Sequence, residues 1–127
     1  MQSRTRMVAT AAIVLILGSV GVRAQTDPAG GQHRTKVMEA LTGIGNGSCL
    51  ERLMGAIVLD QCEQQLTRMR EAMRRLGPIR ELRYRGTDTM PTGIEVEVYR
   101  ITFENGQMTW MAATGPNGKL SVLWSPG

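Results

Sequence analysis

The sequence has little of several things that chemistry needs. It holds a single histidine, His33, and two cysteines, Cys49 and Cys62. Its aromatic residues are one phenylalanine, two tyrosines and two tryptophans in 127 positions. A serine nucleophile needs a base beside it, and Ser48, Ser121 and Ser125 have no histidine in a plausible place. No Gly-x-Ser-x-Gly elbow occurs. With one histidine, at the border of the N-terminal leader, and an even cysteine count, the ligands for a metal centre are missing, so no metal and no cofactor is expected. Seven arginines crowd into Arg68 to Arg85, but Tyr84 is the single aromatic among them, too few for the stacking platform that single-stranded nucleic acid would require. Nor is there an apolar run of the roughly 20 residues that span a membrane.

The longest apolar run, Val8 to Val20, follows Arg4 and Arg6 and precedes Val22-Arg23-Ala24. A basic start, a short apolar core and a small-x-small site make a secretory signal peptide over residues 1–24. No cysteine follows it closely, so a lipoprotein anchor is not expected. Removal changes the charge. Arg4, Arg6 and Arg23 leave and no acid does, so 15 basic against 11 acidic residues becomes 12 against 11, a net charge of +1. The overall charge therefore makes no case for nucleic acid or membrane as partner. The expected location is the periplasm or the medium. In that oxidising setting Cys49 and Cys62 read as a disulfide, a structural staple for a small core.

Residues 25–32 are small, polar and Gly/Pro-bearing, a disordered leader ahead of a single domain at 33–127. Val37, Ala40, Leu41 and Ile44 have helical spacing, which predicts a short helix over Arg34 to Thr42, ended by Gly43, Gly45 and Gly47. Ser48 and Glu51 form a capping-box pattern that predicts a second short helix, Cys49 to Met54. Ala56 to Leu59 reads as a buried connection. Asp60, with Glu63, is the expected N-cap of the main helix, whose stripe is Cys62, Leu66, Met69, Met73 and Leu76. Gly77 suits a left-handed end and Pro78 a stop.

Strands follow. Ile79 to Arg85 alternates, with Leu82 and Tyr84 on one face, and Gly86 to Thr92 reads as a loop. Gly93 to Trp124 carries two turn signals. Asn105-Gly106 predicts a type I′ hairpin, and Pro116-Asn117-Gly118 a type I turn closed by a left-handed glycine. These turns would set Phe103 opposite Met108, Ile101 opposite Trp110, and Tyr99 opposite Ala112. They would also set Ala112 opposite Val122 and Trp110 opposite Trp124. All are apolar and on one face. The apolar parity changes between Val98 and Tyr99, where a bulge would keep both runs on the core; burial of the strand on both faces is the competing explanation.

Helices before strands mean α+β: two or three N-terminal helices packed on a C-terminal antiparallel sheet of about four strands. The second half, with Leu76-Gly77-Pro78, Tyr99-x-Ile101-x-Phe103-x-Asn105-Gly106-x-x-x-Trp110 and Pro116-x-Gly118-Lys119-Leu120, resembles small secreted bacterial domains of the cone-shaped NTF2-like (cystatin-like) superfamily. Some of those stand alone and similar ones follow serine hydrolase domains. The resemblance implies a sheet wrapped around a hollow, although fuller members have more than four strands.

Three groups are candidates for function. Arg68, Arg75, Arg80, Arg83 and Arg85 are candidate anion-binding residues, because guanidinium suits phosphate and carboxylate; the bland reading is a solvated helix face and strand. An anionic partner in an envelope would be lipid headgroup, glycan or an acidic protein. Met69, Met73, Met90, Met108 and Met111, with Trp110 and Trp124, are either core or the lining of an apolar hollow. The drawn register puts Met111 and Leu123 on the face away from the helices, as a candidate surface for an envelope protein or a weak homodimer. Trp110 would lie beneath Leu66, Met69 and Met73. The expected function is a small exported binding module. The enzymatic alternative would use Glu95 or Glu97, which share one strand face opposite Ile94 and Val96, as a pocket carboxylate.

Overall fold

The computed structural model describes residues 30–127; the predicted signal peptide and residues 25–29 of the leader lie outside the described residues. Two helices, α1 (Arg34–Gly45) and α2 (Ala56–Leu76), precede four strands, β1 (Ile79–Thr89), β2 (Glu95–Phe103), β3 (Gly106–Thr114) and β4 (Leu120–Trp124). The strands form one antiparallel sheet in the order β1-β2-β3-β4. The fold class is α+β.

α1 has 12 residues, a length that is marginal for an isolated helix. Packing holds it. Val37, Ala40, Leu41 and Ile44 are fully buried, and burying each of the larger ones contributes about 1.5–3 kcal/mol. The helix runs past Gly43, its expected end. Gly43 is buried, and a Cβ there would come within 2.8 Å of the Leu50 side chain, so close packing and not chain reversal explains this glycine.

The predicted helix at Cys49 to Met54 is absent. Residues 51–53 are a turn, and Met54 makes an isolated parallel bridge with Leu120. Gly55 N–H donates to Leu120 O at 2.9 Å and Leu120 N–H to Leu53 O at 2.8 Å. An edge strand's unpaired groups outcompete a local capping box here. That contact also moves the start of α2. Gly55, not Asp60, is its N-cap, and Ala56 to Leu59 form its first turn. Val58 is buried four residues before Cys62 and extends the apolar stripe backwards. Asp60 instead accepts a hydrogen bond from Gln64 Nε2 at 2.8 Å. Cys49 and Cys62 are joined, with Cα atoms 6.0 Å apart, so the disulfide ties the turn to α2.

At the other end Gly77 has φ 82° and ψ −169°, a region that only glycine occupies readily. The β2–β3 turn docks on this helix end. Asn105 N–H donates to Leu76 O at 2.8 Å, and Asn105 Nδ2 to Arg75 O at 3.2 Å, satisfying carbonyls that the helix leaves open.

That docking explains why the hairpin departs from its predicted register. The pairs are Phe103–Gly106, Ile101–Met108, Tyr99–Trp110 and Glu97–Ala112, two residues away from expectation. The central residues are Glu104 and Asn105, and neither has positive φ, so the turn is not type I′. A shift of two preserves face, so Tyr99, Ile101, Phe103, Trp110 and Ala112 still share the buried side. Gly106 is needed for proximity: a Cβ would meet Leu76 Cδ2 at 2.7 Å.

The β3–β4 loop follows expectation at its tip, with Gly118 at φ 79° and Thr114 paired to Leu120. A register shift then intervenes. Beyond it Ala113 pairs with Val122, Ala112 with Leu123, and Met111 with Trp124. Leu123 therefore turns toward the helices and packs on the core, while Trp124 stands beside Met111 on the outer face.

β1 is longer than predicted, because Gly86 to Thr89 continue it against Glu95 to Val98. The expected bulge in β2 lies instead in β1, between Tyr84 and Gly86. β2 alternates without interruption. Val96 and Val98 accordingly face outward and Glu97 faces in, the reverse of the expected assignment. Val96, nearly fully buried on the outer side, makes β2 a strand with apolar burial on both faces.

Candidate functional site

The helices cover one sheet face, with α1 nearer β1 and α2 nearer β4. Two places on the sheet gather polar chemistry: the inner-face end of β2, and the outer face across β1, β2 and β3.

On the inner face, Glu97 reaches the start of α1. Its Oε2 accepts from Gln32 N–H at 3.0 Å. Its Oε1 accepts from His33 N–H at 2.9 Å and from the Tyr99 hydroxyl. His33 N–H is shared with the Tyr99 hydroxyl oxygen at 3.1 Å, and the His33 ring lies 3.9 Å from the carboxylate. Burial pushes the Glu97 carboxyl up, but the Tyr99 hydroxyl, the two backbone N–H groups and the His33 ring outweigh it, and its pKa is lowered. Burial, then the hydrogen bond to Glu97 and its charge, raises the Tyr99 hydroxyl. Tyr84 is raised too, by burial first and by the charges of Glu97 and Glu95. Chemically this is an anchor. An ionised carboxylate at a helix N-terminus favours docking of that helix, and Gln32, predicted to belong to a disordered leader, is tied down by it. Glu95 is exposed.

On the outer face, Arg83 and Arg100 are direct cross-strand partners. Like charges so placed, with Cβ atoms about 4.5–5.5 Å apart, destabilise a sheet. Arg85, the extra residue of the β1 bulge, lines the same depression. The one carboxylate there is Glu81, 3.3 Å from Arg83 Nε. Arg100 is held by neutral acceptors: its Nε and Nη2 donate to Gln107 Oε1 at 3.0 and 2.8 Å, and its Nη1 to Thr109 Oγ1 at 3.1 Å. Gln107 is itself oriented by Thr102 Oγ1. A guanidinium fixed in place without a counter-charge is ready for an anion.

The predicted arginine set is thereby divided. Arg83 and Arg85 are brought together. Arg68 and Arg75 lie on the exposed side of α2, across the sheet from them, with Arg75 paired to Glu71 at 3.5 Å. Arg80 pairs with Glu104. Arg100 was not among the candidates; the sequence signal for it is its outward parity in β2, opposite a strand already rich in arginine.

Next to the arginines the outer face turns apolar. A groove of about 430 Å³ is lined by Ile57, Met90, Val96, Met111, Val122 and Trp124, among others. Ile57 is 72% and Trp124 51% exposed. Of the two residues predicted for an interaction surface, Met111 lies at this groove's floor. Leu123 reaches its rim from the core side and does not face outward as expected. Among the described residues no group of three His, Cys, Asp or Glu side chains is placed to hold a metal.

Comparison with protein-family models, curated proteins and solved structures finds no match to this chain.

Proposed function

We propose that this chain is an exported, non-catalytic binding module of the cell envelope that recognises an anionic group through the outer face of its sheet. The observation that carries this reading is the Arg83–Arg100 cross-strand pair with Arg85 beside it: Glu81 offsets the charge of Arg83, and an anion over the depression would offset the rest. Arginine suits the role because its planar fork binds phosphate or carboxylate oxygens two at a time. Export is supported by the N-terminal signal pattern and by the disulfide, which suits an oxidising compartment. The helix-on-sheet layout and the resemblance of the second half make a reduced NTF2-like domain the family reading we favour. An acid/base role for Glu97 has less support. A general base works best with a pKa near the working pH, and that of Glu97 is lowered while three donors occupy its oxygens.

The test is a titration with pyrophosphate followed by NMR at the arginine Nε–H signals. Arg83, Arg85 and Arg100 should shift, and the shifts should weaken with added salt. Arg100→Gln should lower affinity about tenfold, the order of one charge-assisted hydrogen bond. Arg68→Gln and Arg75→Gln should leave it unchanged. Equal losses from the helix arginines would mean that the sheet face is not the site.

A further inference from the structure

The arginine depression and the apolar groove are not separate features. Val98 lines the first and Met111 the second, and the two residues are cross-strand partners. Along β2 the outward side chains run Arg100, Val98, Val96, so one strand leads from the fixed guanidinium into the groove. Those positions span about 13–14 Å at roughly 3.4 Å per residue. The surface thus changes from cationic to apolar along a single line. We infer that it binds a single-chain anionic amphiphile, with the acidic head on Arg83, Arg85 and Arg100 and the chain in the groove between the β1–β2 hairpin end and the start of α2.

This rests on the anion reading above and names the class of ligand. Three observations favour it over a purely ionic partner. First, Ile57 and Trp124 stand exposed at the groove, and Met111 and Val122 are only partly covered. Burying such surfaces under a hydrocarbon chain would recover the hydrophobic term that folding leaves unused here. Second, the volume of about 430 Å³ falls at the low end of the range of about 300–1,000 Å³ for small-molecule sites, which suits one chain. Third, the groove has a polarity. Its carboxylate, Asp88, lies at the hairpin end, opposite Val96 in the register and away from Arg100. An acidic head is repelled there and attracted at the arginines, so the two ends of the groove agree on one orientation. Met90 and Met111 supply adaptable walls that accept a flexible chain.

The probe is decyl phosphate below its aggregation concentration, compared with inorganic phosphate and decanol by calorimetry and tryptophan emission. Decyl phosphate should bind at least tenfold more tightly than either, and the emission should shift to the blue as exposed Trp124 is covered. Trp124→Ala should abolish the shift. Trp124→Ala and Met111→Gln should each lower affinity for decyl phosphate about tenfold and leave inorganic phosphate unchanged, whereas Arg100→Gln should weaken both. Far-ultraviolet circular dichroism and the urea midpoint establish that each variant is folded, and Val122→Gln serves in place of one that is not. Equal affinity for decyl phosphate and inorganic phosphate would overturn the amphiphile and leave the anion site standing. Indifference of both ligands to Arg100→Gln would remove the anion site as well. Binding to phosphatidylglycerol vesicles without binding of monomeric decyl phosphate would also overturn the inference, in favour of a membrane surface. So would a groove closed by a second copy of the chain, seen as a dimer in sedimentation that decyl phosphate does not dissociate.

Discussion

Glu97 shows how far one residue's role depends on where its neighbours fold. As sequence it is half of an alternating Glu95-x-Glu97 pair on a strand. In the structure Glu95 is exposed, while Glu97 receives three hydrogen bonds and fixes the start of α1. Its folded-state pKa is lowered from the ordinary glutamate value, because the three donors and the His33 ring outweigh burial. A group lowered in this way contributes stability that is present above the unfolded pKa and lost as pH falls through the folded one. Glu97→Gln should therefore destabilise at pH 7 by about 1–3 kcal/mol, the cost of leaving buried donors poorly satisfied. The gap from the parent should narrow at a second, acidic pH below that lowered value, where the parent carboxyl is itself protonated. Urea unfolding at the two pH values measures this. A gap of the same size at both would assign the effect to shape and not to charge. Gly106 makes a related point at the same scale. It reads as half of an Asn-Gly turn, yet its φ is not positive, and its lack of a side chain serves the contact with Leu76.

Among the elements, α2 and the meander were the most legible. The apolar stripe from Cys62 to Leu76 and the alternation of β2 and β3 are periodic signals, and both elements are found where those signals lie. The failures occur where an element's end meets another element. The Cys49–Met54 helix yields to a bridge with β4, and the start of α2 moves four residues upstream of Asp60. The disulfide acts on this same region. It joins the turn at Cys49 to the first half of α2 and closes a loop of sequence separation 13. Reducing it should lower stability by about 3 kcal/mol on the chain-entropy account. Because Leu53 and Gly55 bond to Leu120, hydrogen exchange should rise first at Gly55 and Leu120 in the reduced protein. Uniform loosening of the whole sheet would instead show that the turn and β4 do not open as a local unit.

At the scale of the whole molecule, charge and compartment belong together. On the proposed export route, loss of residues 1–24 would take the +4 of the full sequence to +1, and a nearly neutral surface would leave the local charge pattern to decide what it attracts. Export predicts a definite product. The intact mass of protein from the periplasm should correspond to residues 25–127 with both cysteines oxidised. A mass that includes residues 1–24, or two thiols that alkylate without reduction, would contradict export by this route. The two sheet faces then divide the labour. The inner face, under α1 and α2, supplies the core. The outer face carries the ordered Arg100 and its partner Arg83, and leads into the groove that Met111 and Trp124 share with Ile57 at the start of α2.

The sequence by itself determined that helices precede an antiparallel sheet, the apolar faces of α2, β3 and the Tyr99–Phe103 part of β2, the disulfide, and the glycine positions at Gly77 and Gly118. The disulfide follows from the cysteine count; the others follow from periodicity, or from a backbone angle that one residue type tolerates, which are local properties of a chain. Tertiary structure alone decided register and side. The β2–β3 turn shifted by two residues because its amides cap α2. The outer end of β4 slipped by one because a bulge follows Leu120, exchanging Leu123 for Trp124 beside Met111. With the bulge placed in β1, β2 alternates unbroken from Tyr99, which turns Val96 and Val98 outward and Glu97 inward. A one-residue slip reverses every side chain of a strand, and its placement depends on contacts distant in sequence. For that reason the partnership of Arg83 with Arg100, on which the functional reading stands, is written in the sheet and in no single segment of the chain.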